Sequence, residues 1–508
     1  MKVFLIRGPR YYWPFINEYD NFLLPQSLPC LAAVLKKDGI NVKVIDCSPV
    51  KMGWQSLRNL LKEQKPDVVG VGDSESLYAH EAVRVLHIAK EAIPGVITIV
   101  GGAHFSNLVE DSLLNYPIDF IVKGEGENTL LELIKELKQP RPNFKKIKGI
   151  AYKESDRILH NPPRPLIENL DTLPLPAYEL MPMQEYGKAK FLFSPGGITI
   201  HHSRGCIDRC KFCVWWVQMA ERRVENDEIN LYPKWRTKSV ERTIEEIRIL
   251  YHQYKKRFLI FVDDSWNIDQ RWNEKFAEQL IKENIKLGWF AFMRADLLLR
   301  DEKAGILKKL VNSGLSHISI GVERAEDNEL RSIGKNCYSR EIIKECSSIL
   351  KNKYPQVFRQ VTFIVGIRRE TKGSLLQQAN FAKDIGADYP AFHPLTPVPG
   401  TEVWREAKEK GWLEIKDFAY YDWATPVMPS EHLTREEIEY LIYLANKKFV
   451  TPFWFIRGLF SPSKFKRNMY IWWLFVILRI FIDSVKSFIN PFKIKDYTRL
   501  VKPRWYDS

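Results

Sequence analysis

Three of the chain's seven cysteines, Cys206, Cys210 and Cys213, lie on one short stretch and are separated by three and then two residues. Three thiolates at this spacing can bind three irons of a cuboidal [4Fe-4S] cluster. No fourth cysteine follows within reach of such a cluster, so one iron would be left open for another ligand. Gly205, directly before the first cysteine, suits a tight loop whose backbone approaches the cluster closely.

A structural zinc loop and a chance group of buried cysteines are the alternatives to a cluster. Zinc usually takes four ligands, arranged as Cys-x2-Cys or Cys/His pairs. The nearest candidate ligands, His201 and His202, precede the cysteines without that spacing, so the pattern favours iron and sulfur. The remaining cysteines have no cluster-like spacing and are expected to be buried apolar side chains: Cys30, Cys47, Cys337 and Cys346.

The cysteine spacing, together with Phe212 before the third cysteine, resembles the radical S-adenosylmethionine (SAM) superfamily. The resemblance implies that the open iron chelates the amino and carboxylate groups of SAM. An electron from the cluster would then cleave the sulfonium, and Phe212 would lie near the adenine.

The composition is that of a globular protein with several domains. Of the 508 residues, 45% are hydrophobic and 27% are charged, and the length predicts two to four domains. Seven irregularly spaced cysteines do not resemble a secreted disulfide framework, and Met1 leads directly into a strand-like segment, so we expect a cytoplasmic protein. The net charge of +14 is compatible with nucleic acid, an anionic membrane surface or an acidic substrate as a partner.

Strand-like and helix-like segments alternate over residues 1–140, which predicts an α/β domain with a parallel, doubly wound (Rossmann-like) sheet. The predicted strands are 2–6, 42–45, 67–71, 96–100 and 120–122, and the predicted helices are 28–37, 54–63 and 79–92. Ligands of such sheets bind at the carboxyl ends of the strands. Glycine clusters lie at two of these ends, although a glycine pair alone is more often a turn.

The segments VGVGDSE, VGGAH and KGEGENT, ahead of the cysteine triad, resemble the cobalamin-binding domain that is fused in front of some radical-SAM domains. The resemblance makes these loops the candidate cobalamin site: Asp73, Ser74, Glu75, Gly101, Gly102, His104, Gly124, Glu125 and Gly126. The sequence lacks Asp-x-His-x-x-Gly, the motif whose histidine binds below cobalt in methionine-synthase-like domains. Cobalamin-dependent radical-SAM enzymes commonly lack it too. The lower ligand therefore stays open, and His104 is either a candidate or a solvated loop histidine.

Residues 141–195 are rich in proline and contain a predicted hairpin at 147–160, so we expect an ordered linker between domains. Over residues 196–410, strand-like segments again alternate with helices, and this pattern resembles the partial (β/α)6 barrel of radical-SAM enzymes. The six strands are predicted at 199–201, 258–262, 289–293, 317–321, 361–366 and 390–395. In such barrels the active site lies at the carboxyl ends of the strands.

Charged residues follow these strands and resemble elements of the family branch that includes the anaerobic magnesium-protoporphyrin ester cyclase and hopanoid methylases. On this resemblance, Asp264, Arg294 and Glu323 are predicted to bind SAM, because charged groups can form charge-assisted hydrogen bonds with it. The alternative for each is a surface ion pair. Arg324 and Arg368-Arg369 depart from the family pattern, which has serine and Pro-Gly there. We expect these arginines either to bind an anionic substrate group or to face water.

Residues 411–508 are predicted to form a helical region, with one helix at 435–448 and the chain's most hydrophobic segment at 469–482. As a helix this segment would be roughly 21 Å long, short of the roughly 30 Å hydrocarbon core of a bilayer. Residues 462–508 contain ten Lys or Arg and three Asp. We therefore expect the helix to lie in an anionic membrane surface, and docking onto the chain's own barrel is the alternative.

These patterns predict a cobalamin-dependent radical-SAM enzyme that methylates an unactivated carbon of a hydrophobic, lipid-like or tetrapyrrole-like small molecule. The alternatives are an oxidative cyclase of the magnesium-protoporphyrin ester cyclase type and, in another class, a cobalamin-binding sensor with a degenerate barrel. A ferredoxin or flavodoxin is the expected electron donor. No nucleic-acid partner is expected, because the chain carries no recognisable RNA-binding addition and its basic tail is apolar.

Overall fold

The protein's structure, a computed structural model, describes residues 1–12, 23–72, 75–188, 196–226, 228–489 and 500–508. In the last helix, the side chains of residues 479–481 and 483–489 lie outside this description. The described residues form a seven-stranded sheet near the amino terminus, a six-stranded sheet in the middle of the chain and a helical region at the carboxyl terminus.

The first sheet confirms the predicted doubly wound domain. Its strands are β1 (Lys2–Arg7), β2 (Asn41–Asp46), β3 (Val68–Val71), β4 (Ile97–Val100), β5 (Phe120–Val122), β6 (Ile150–Glu154) and β7 (Arg157–His160). The helices of this unit are α1 (Ser27–Lys37), α2 (Trp54–Gln64), α3 (Ala79–Ala92), α4 (Ala103–Asn107), α5 (Val109–Asn115) and α6 (Glu127–Leu137). The strand order is β2-β1-β3-β4-β5-β6-β7, with parallel pairing from β2 to β5. The parallel strands therefore share one carboxyl edge.

Strand β1 shows that this sheet is buried on both faces. Phe4 and Ile6 belong to the apolar core on one face, and Val3 and Leu5 belong to the core on the other. Successive side chains of a strand point to opposite faces, and a parallel sheet is stable only when helices cover both.

The hairpin after residue 140 belongs to the first sheet. β6 pairs antiparallel with β5, and β7 pairs antiparallel with β6. The boundary predicted at residue 140, with a linker over 141–195, therefore falls inside this sheet. A hairpin has the same local pattern whichever sheet it joins, so its sequence could not show where it pairs.

The second sheet is the predicted partial barrel. The strands of this part of the chain are β8 (Gly197–Ile200), β9 (Ser203–Arg204), β10 (Glu221–Glu225), β11 (Glu228–Tyr232), β12 (Arg236–Thr237), β13 (Phe258–Phe261), β14 (Gly288–Met293), β15 (Leu315–Glu323), β16 (Phe358–Val365) and β17 (Tyr389–Pro394). The order β17-β16-β15-β14-β13-β8 is parallel throughout. β9 pairs with β12 and β10 pairs with β11, both antiparallel.

Helices connect the barrel strands and bury one continuous apolar core against them. They are α7 (Val214–Gln218), α8 (Val240–Arg248), α9 (Gln270–Lys282), α10 (Ala295–Lys303), α11 (Ile306–Asn312), α12 (Asp327–Ser332), α13 (Arg340–Lys353) and α14 (Lys372–Asp384). Helix α8 continues into a π-helical turn, Ile249–Gln253.

The carboxyl-terminal helices are α15 (Glu402–Glu409), α16 (Arg435–Phe449), α17 (Pro452–Leu459) and α18 (Lys464–Ile489). Helix α18 begins at Lys464, ahead of the helix start predicted at Met469. It packs against the amino-terminal ends of the barrel strands. Phe465 stacks on Phe258 with ring centroids 5.4 Å apart, and the Tyr470 hydroxyl donates to Asp388 Oδ1 at 2.9 Å. One side of the helix is thus docked on the barrel, as the alternative interpretation held. None of the helices in the described ranges combines the length and hydropathy that a membrane crossing needs.

The last described residues return to the first sheet's domain. The Trp54 amide donates to the Tyr506 carbonyl at 3.0 Å, and the two rings meet edge to face at 5.6 Å. Tyr506 is 5% exposed and belongs to the apolar core of that domain. The carboxyl terminus therefore contributes to the amino-terminal fold.

Candidate active site

Asp263, just after β13, anchors the segment that carries the cysteine triad. Its Oδ1 accepts hydrogen bonds from the backbone amides of His202 at 3.0 Å and Ser203 at 2.6 Å, and His202 Nδ1 lies 2.8 Å away. The His202 ring also stacks on Trp272 at 3.9 Å. Because the side chains of Asp263 and His202 are completely buried, the triad starts from a rigid base.

Glycines allow the cysteine loop to fold tightly. Gly205 has a φ of 85°, and a Cβ there would collide with the Lys234 carbonyl. On its other side, the Lys211 amide donates to the Ile333 carbonyl at 3.1 Å. A Cβ on Gly334 would lie 3.1 Å from Lys211 N, so the chain after α12 packs directly against the loop.

The three thiols lie in a largely buried environment. Burial raises the pKa of Cys210 and of Cys213 to about 12, so each thiol holds its proton until a metal displaces it. In the described part of the chain, no three His, Cys, Asp or Glu side chains converge closely enough to hold one metal ion. In a cuboidal cluster each cysteine binds a different iron. Cys206, Cys210 and Cys213 would each hold one iron of such a cluster.

Asp264 is brought to the triad, as a SAM-binding role would require. Burial raises the pKa of Cys206 and of Cys213, and the nearby Asp264 carboxyl raises the pKa of both thiols further. Burial and then the neighbouring Asp263 raise the pKa of Asp264 itself to about 7. Its binding to SAM stays a prediction.

Arg294 and Phe212 hold the cysteine loop through contacts within the protein. The Arg294 guanidinium pairs with Asp208, between the first two cysteines, and with Asp296 at 2.8 Å. Phe212 packs, half-buried, against an apolar cluster at the carboxyl end of the barrel that includes Leu395. These contacts connect the loop with the end of β14 and with the barrel mouth. A role toward SAM remains a prediction for both residues.

Glu323 ends β15 with a φ of 63°, a left-handed conformation that is uncommon outside glycine and often marks functional sites. Its carboxylate lies 3.5 Å from Lys335 Nζ, and the two side chains are 10% and 12% exposed. Lys335 also opposes the rise in pKa that burial causes at Cys210, so the ammonium lies beside the triad. Lys335 could not be recognised from the sequence, because it follows a short helix and not a strand.

The expectations for Arg324 are wrong, because Arg324 neither faces water nor lines the barrel mouth. Its side chain is fully buried, and its guanidinium donates to Glu370 at 2.6 and 2.9 Å and to Glu329 at 3.0 Å. Arg368 lies 4.0 Å above the Trp412 ring. Arg369 is exposed, as one of the two expectations held. Arginine stands in place of the family's serine because it closes a buried ion-pair network.

The predicted cobalamin loops lie at the carboxyl edge of the first sheet. Gly102 and Gly124 have φ values of 96° and 75°, conformations that favour glycine. A Cβ on Gly101 would lie 3.3 Å from the Val122 carbonyl, and a Cβ on Gly126 would lie 3.0 Å from Leu31, so packing alone already favours glycine at these two positions. Asp73 and Ser74 lie outside the described residues.

His104 is buried, so the alternative of a solvated loop histidine is wrong. It is 2% exposed, its Nδ1 lies 3.1 Å from Ser76 Oγ, and Phe418 packs against its ring edge to face at 4.7 Å. Burial lowers the pKa of His104 to about 4, which keeps the imidazole neutral at physiological pH. Whether it reaches cobalt stays a prediction.

Glu125 serves as an ionic link between the two domains. Its carboxylate accepts from Arg204 at 2.7 Å, from Arg236 at 2.9 Å and from the Ile167 amide at 2.7 Å. Arg204 also donates to Glu127 at 2.6 Å. These contacts occupy the carboxylate, so its surroundings give no support to the predicted cofactor role. They tie the strand just before the triad to the predicted cobalamin loop.

The two sets of loops enclose a narrow, mostly apolar cavity. Its lining comes from the first domain, from the helix that follows Cys213, from the tip of β17 and from the segment after α15: Glu75, Ser76, Leu77, Ala103, Val214, Trp215, Val398, Tyr421 and Trp423. Trp423 has a φ of 61° and packs against Ala103, Val214 and Val398. The helix after the cysteine triad and segments next to the candidate cobalamin loops thus contribute to the walls of one cavity.

The structure thus combines a doubly wound domain, a partial barrel and a three-cysteine loop at the carboxyl end of the barrel's first strand. The B12 binding domain model matches residues 12–134, and the radical SAM superfamily model matches residues 200–382. The chain belongs to the radical-SAM family whose members carry an amino-terminal cobalamin-binding domain. It is an enzyme, and its cofactors are a [4Fe-4S] cluster, SAM and cobalamin.

Relatives support this assignment over most of the chain. The chain is 31% identical over 443 residues to the uncharacterized methyltransferase PH0819 of Pyrococcus horikoshii, covering 87% of this chain and 91% of that protein. It is 28% identical over 469 residues to the anaerobic magnesium-protoporphyrin IX monomethyl ester cyclase of Rubrivivax gelatinosus, covering 91% and 79%. The radical SAM methyltransferase TsrM of Kitasatospora setae, solved with cobalamin and a [4Fe-4S] cluster, shares the fold with a TM-score of 0.68 at 14% identity, over 94% of this chain and 99% of that one.

Proposed function

We propose that this enzyme transfers a methyl group to a carbon atom of a hydrophobic small molecule. The observation that carries the substrate class is the apolar and aromatic surface where the two sets of loops meet, which includes Val214, Trp215, Tyr421 and Trp423. The enclosed space is only about 10 Å³, so these walls would have to move apart to admit a substrate. Apolar and aromatic walls with few polar groups are typical of sites for hydrophobic ligands. Methyl transfer is supported by the relative named as a methyltransferase and by the hopanoid C-3 methylase of Methylococcus capsulatus, 25% identical over 445 residues.

The chain's own residues would hold and separate the reacting groups. When bound, the cluster supplies the electron that cleaves SAM, and cobalamin supplies the methyl group. Cys206, Cys210 and Cys213 would hold the cluster. Beside them, Asp264 and Lys335 offer opposite charges for the amino and carboxylate groups of SAM. Trp423 closes the cavity against water, which protects a reactive carbon centre from side reactions.

The location and the electron source are part of the same proposal. A ferredoxin or flavodoxin in the cytoplasm would supply the electron. We place the enzyme at the cytoplasmic face of an anionic membrane, because a hydrophobic substrate is concentrated there and the carboxyl-terminal region is both basic and apolar.

The test uses SAM with a deuterated methyl group. Anaerobically reconstituted enzyme, a reductant, added cobalamin and an apolar extract should yield an extract component that carries the deuterated methyl group, together with 5'-deoxyadenosine. The variant with Cys206, Cys210 and Cys213 all replaced by Ala should yield neither. Formation of 5'-deoxyadenosine without label in any apolar product would contradict methyl transfer.

Oxidative cyclisation is the second candidate, because cyclase relatives cover 91% of the chain. In the same assay, cyclisation predicts a product that has lost hydrogen and gained no deuterium. A cobalamin-binding sensor would instead bind cobalamin but retain no iron after reconstitution.

A further inference from the structure

Helix α18 has two faces, and only one is covered by the barrel. Its covered face includes Lys466, Tyr470 and Trp473, and Trp473 stacks on Tyr389 with centroids 4.6 Å apart. The opposite face exposes an apolar stripe at helical spacing: Ile471, Phe475, Leu478 and Ile482. These positions follow i, i+4, i+7 and i+11, so they form one line along the helix.

Helix α17 carries a second exposed apolar stripe. Phe453, Ile456 and Phe460, at i, i+3 and i+7, are 72%, 52% and 83% exposed. The helices cross closely, since a Cβ on Gly458 would collide with the Tyr470 ring. The hairpin of α17 and α18 therefore presents two apolar stripes, a larger exposed apolar area than isolated surface residues would give.

The charge of the hairpin is mainly positive. Residues 452–489 contain six Lys or Arg and one Asp. Lys447, Lys448, Arg457 and Lys464 are exposed. Bulky apolar side chains in a mainly cationic region complement an anionic lipid surface, where each cation near the headgroups adds to the attraction. A second copy of the chain would bring the same positive charge to the contact.

We propose that the α17–α18 hairpin is a docking surface for an anionic bilayer, with both apolar stripes in the interface and the lysines and arginines at the headgroups. The proposal rests on the peripheral location proposed above and adds the residues, the lipid charge and the orientation. Helix α18 contacts Phe258 and Tyr389, at the starts of β13 and β17. The cysteine loop lies at the opposite ends of the strands, so the active-site mouth faces away from the bilayer.

The experiment measures sedimentation of the full-length protein with vesicles of phosphatidylcholine containing phosphatidylglycerol, and with vesicles of phosphatidylcholine alone. The protein should sediment with the anionic vesicles and less with the neutral ones. Replacing Phe453, Phe460 and Phe475 together by Gln should weaken binding roughly tenfold or more, because exposed aromatic anchors are lost without a change in charge. Leu114→Gln, a change at a side chain 64% exposed on α5, is the matched control and should bind like the unchanged protein.

Reductive SAM cleavage and thermal melting are measured on the same variants. Both should be unchanged in the triple Gln variant, since these phenylalanines lie away from the cysteine loop. Equal sedimentation of the triple variant and the unchanged protein would overturn the docking surface, and so would equal binding to neutral and anionic vesicles. A change in oligomeric state of the triple variant without lipid, with vesicle binding intact, would assign the hairpin to a second copy. Loss of methyl transfer with intact vesicle binding would reject the proposed function alone.

Discussion

At the scale of single residues, Lys335 offers a sharp test of how SAM is held. Lys335→Met removes the buried cation beside the triad and should raise the dissociation constant of SAM roughly tenfold or more, since a charge-assisted hydrogen bond is lost. Equilibrium dialysis under anaerobic conditions measures this. Lys309→Met is the control, because Lys309 is partly exposed and pairs with Glu274 and Glu278 far from the cysteine loop. Unchanged SAM affinity, with full iron content, would restrict Lys335 to a structural role.

The triad itself makes a second residue-scale prediction. Replacing Cys206, Cys210 and Cys213 together by Ala should abolish iron binding and the cluster's visible absorbance, because the thiolates that hold the irons are lost. Cys337 lies in the loop before α13 and near Cys210, so Cys337→Ala is a close control that should keep its iron. Iron retained by the triple variant would refute the assignment of the cluster.

At the scale of elements, the contact between β9 and the loop before α6 fixes the two domains together. Glu125→Gln leaves Arg236 without a counter-ion and Arg204 with Glu127 alone, and it should lower the free energy of unfolding by about 3–5 kcal/mol. Denaturant titration measures the unfolding free energy of this variant. Glu132→Gln is the control, because it alters a more exposed ion pair, with Arg164, and should cost less stability. The Glu125 variant should also form more 5'-deoxyadenosine per methyl group transferred, because the two cofactor sites lose their fixed spacing. Equal stability of the two variants would count against this role.

The same carboxylate predicts how stability depends on pH. Burial alone would raise the pKa of Glu125, but Arg204 and Arg236 hold it below its usual value. The folded state therefore binds a proton less readily than the unfolded state, and the stabilisation is complete above the ordinary glutamate pKa. It should be lost as the pH falls through the lowered value. Glu125→Gln should flatten this acid-side loss, and parallel pH profiles of the two proteins would contradict the prediction.

At the scale of the whole molecule, the carboxyl terminus stabilises the amino-terminal domain. Tyr506→Ala should cost roughly 3 kcal/mol of unfolding free energy, because a buried aromatic ring is lost from that core. Calorimetry should place the loss in the transition of the amino-terminal domain, if the two domains unfold separately. Lys62→Ala, at an exposed side chain of α2 in the same domain, is the control and should change little. A deletion of residues 462–508 would remove helix α18 and Tyr506 together. Such a deletion would therefore destabilise the amino-terminal domain and could not test membrane binding alone.

The sequence by itself indicated the cluster-binding triad and the parallel strands of the two sheets. A triad of thiols at fixed spacing is a local property, because the loop alone brings the ligands together. Alternating strand and helix patterns likewise record which faces are buried, so all parallel strands of both sheets could be placed before the structure was known. The loops predicted to bind the cofactors were chosen from the family resemblance and from their position after those strands, and their roles stay predictions.

Only the tertiary structure decided which charged side chains meet. Arg324 and Glu370, Glu125 and Arg236, and Lys335 and Glu323 are each far apart in sequence or on separate elements, and an ion pair leaves no periodic signal in the chain. Only the tertiary structure also decided how α18 is placed, because its composition is compatible with both a membrane surface and a protein core. Its two faces are distinguished by what packs against them: the barrel covers one, while Phe475 on the other stays 67% exposed.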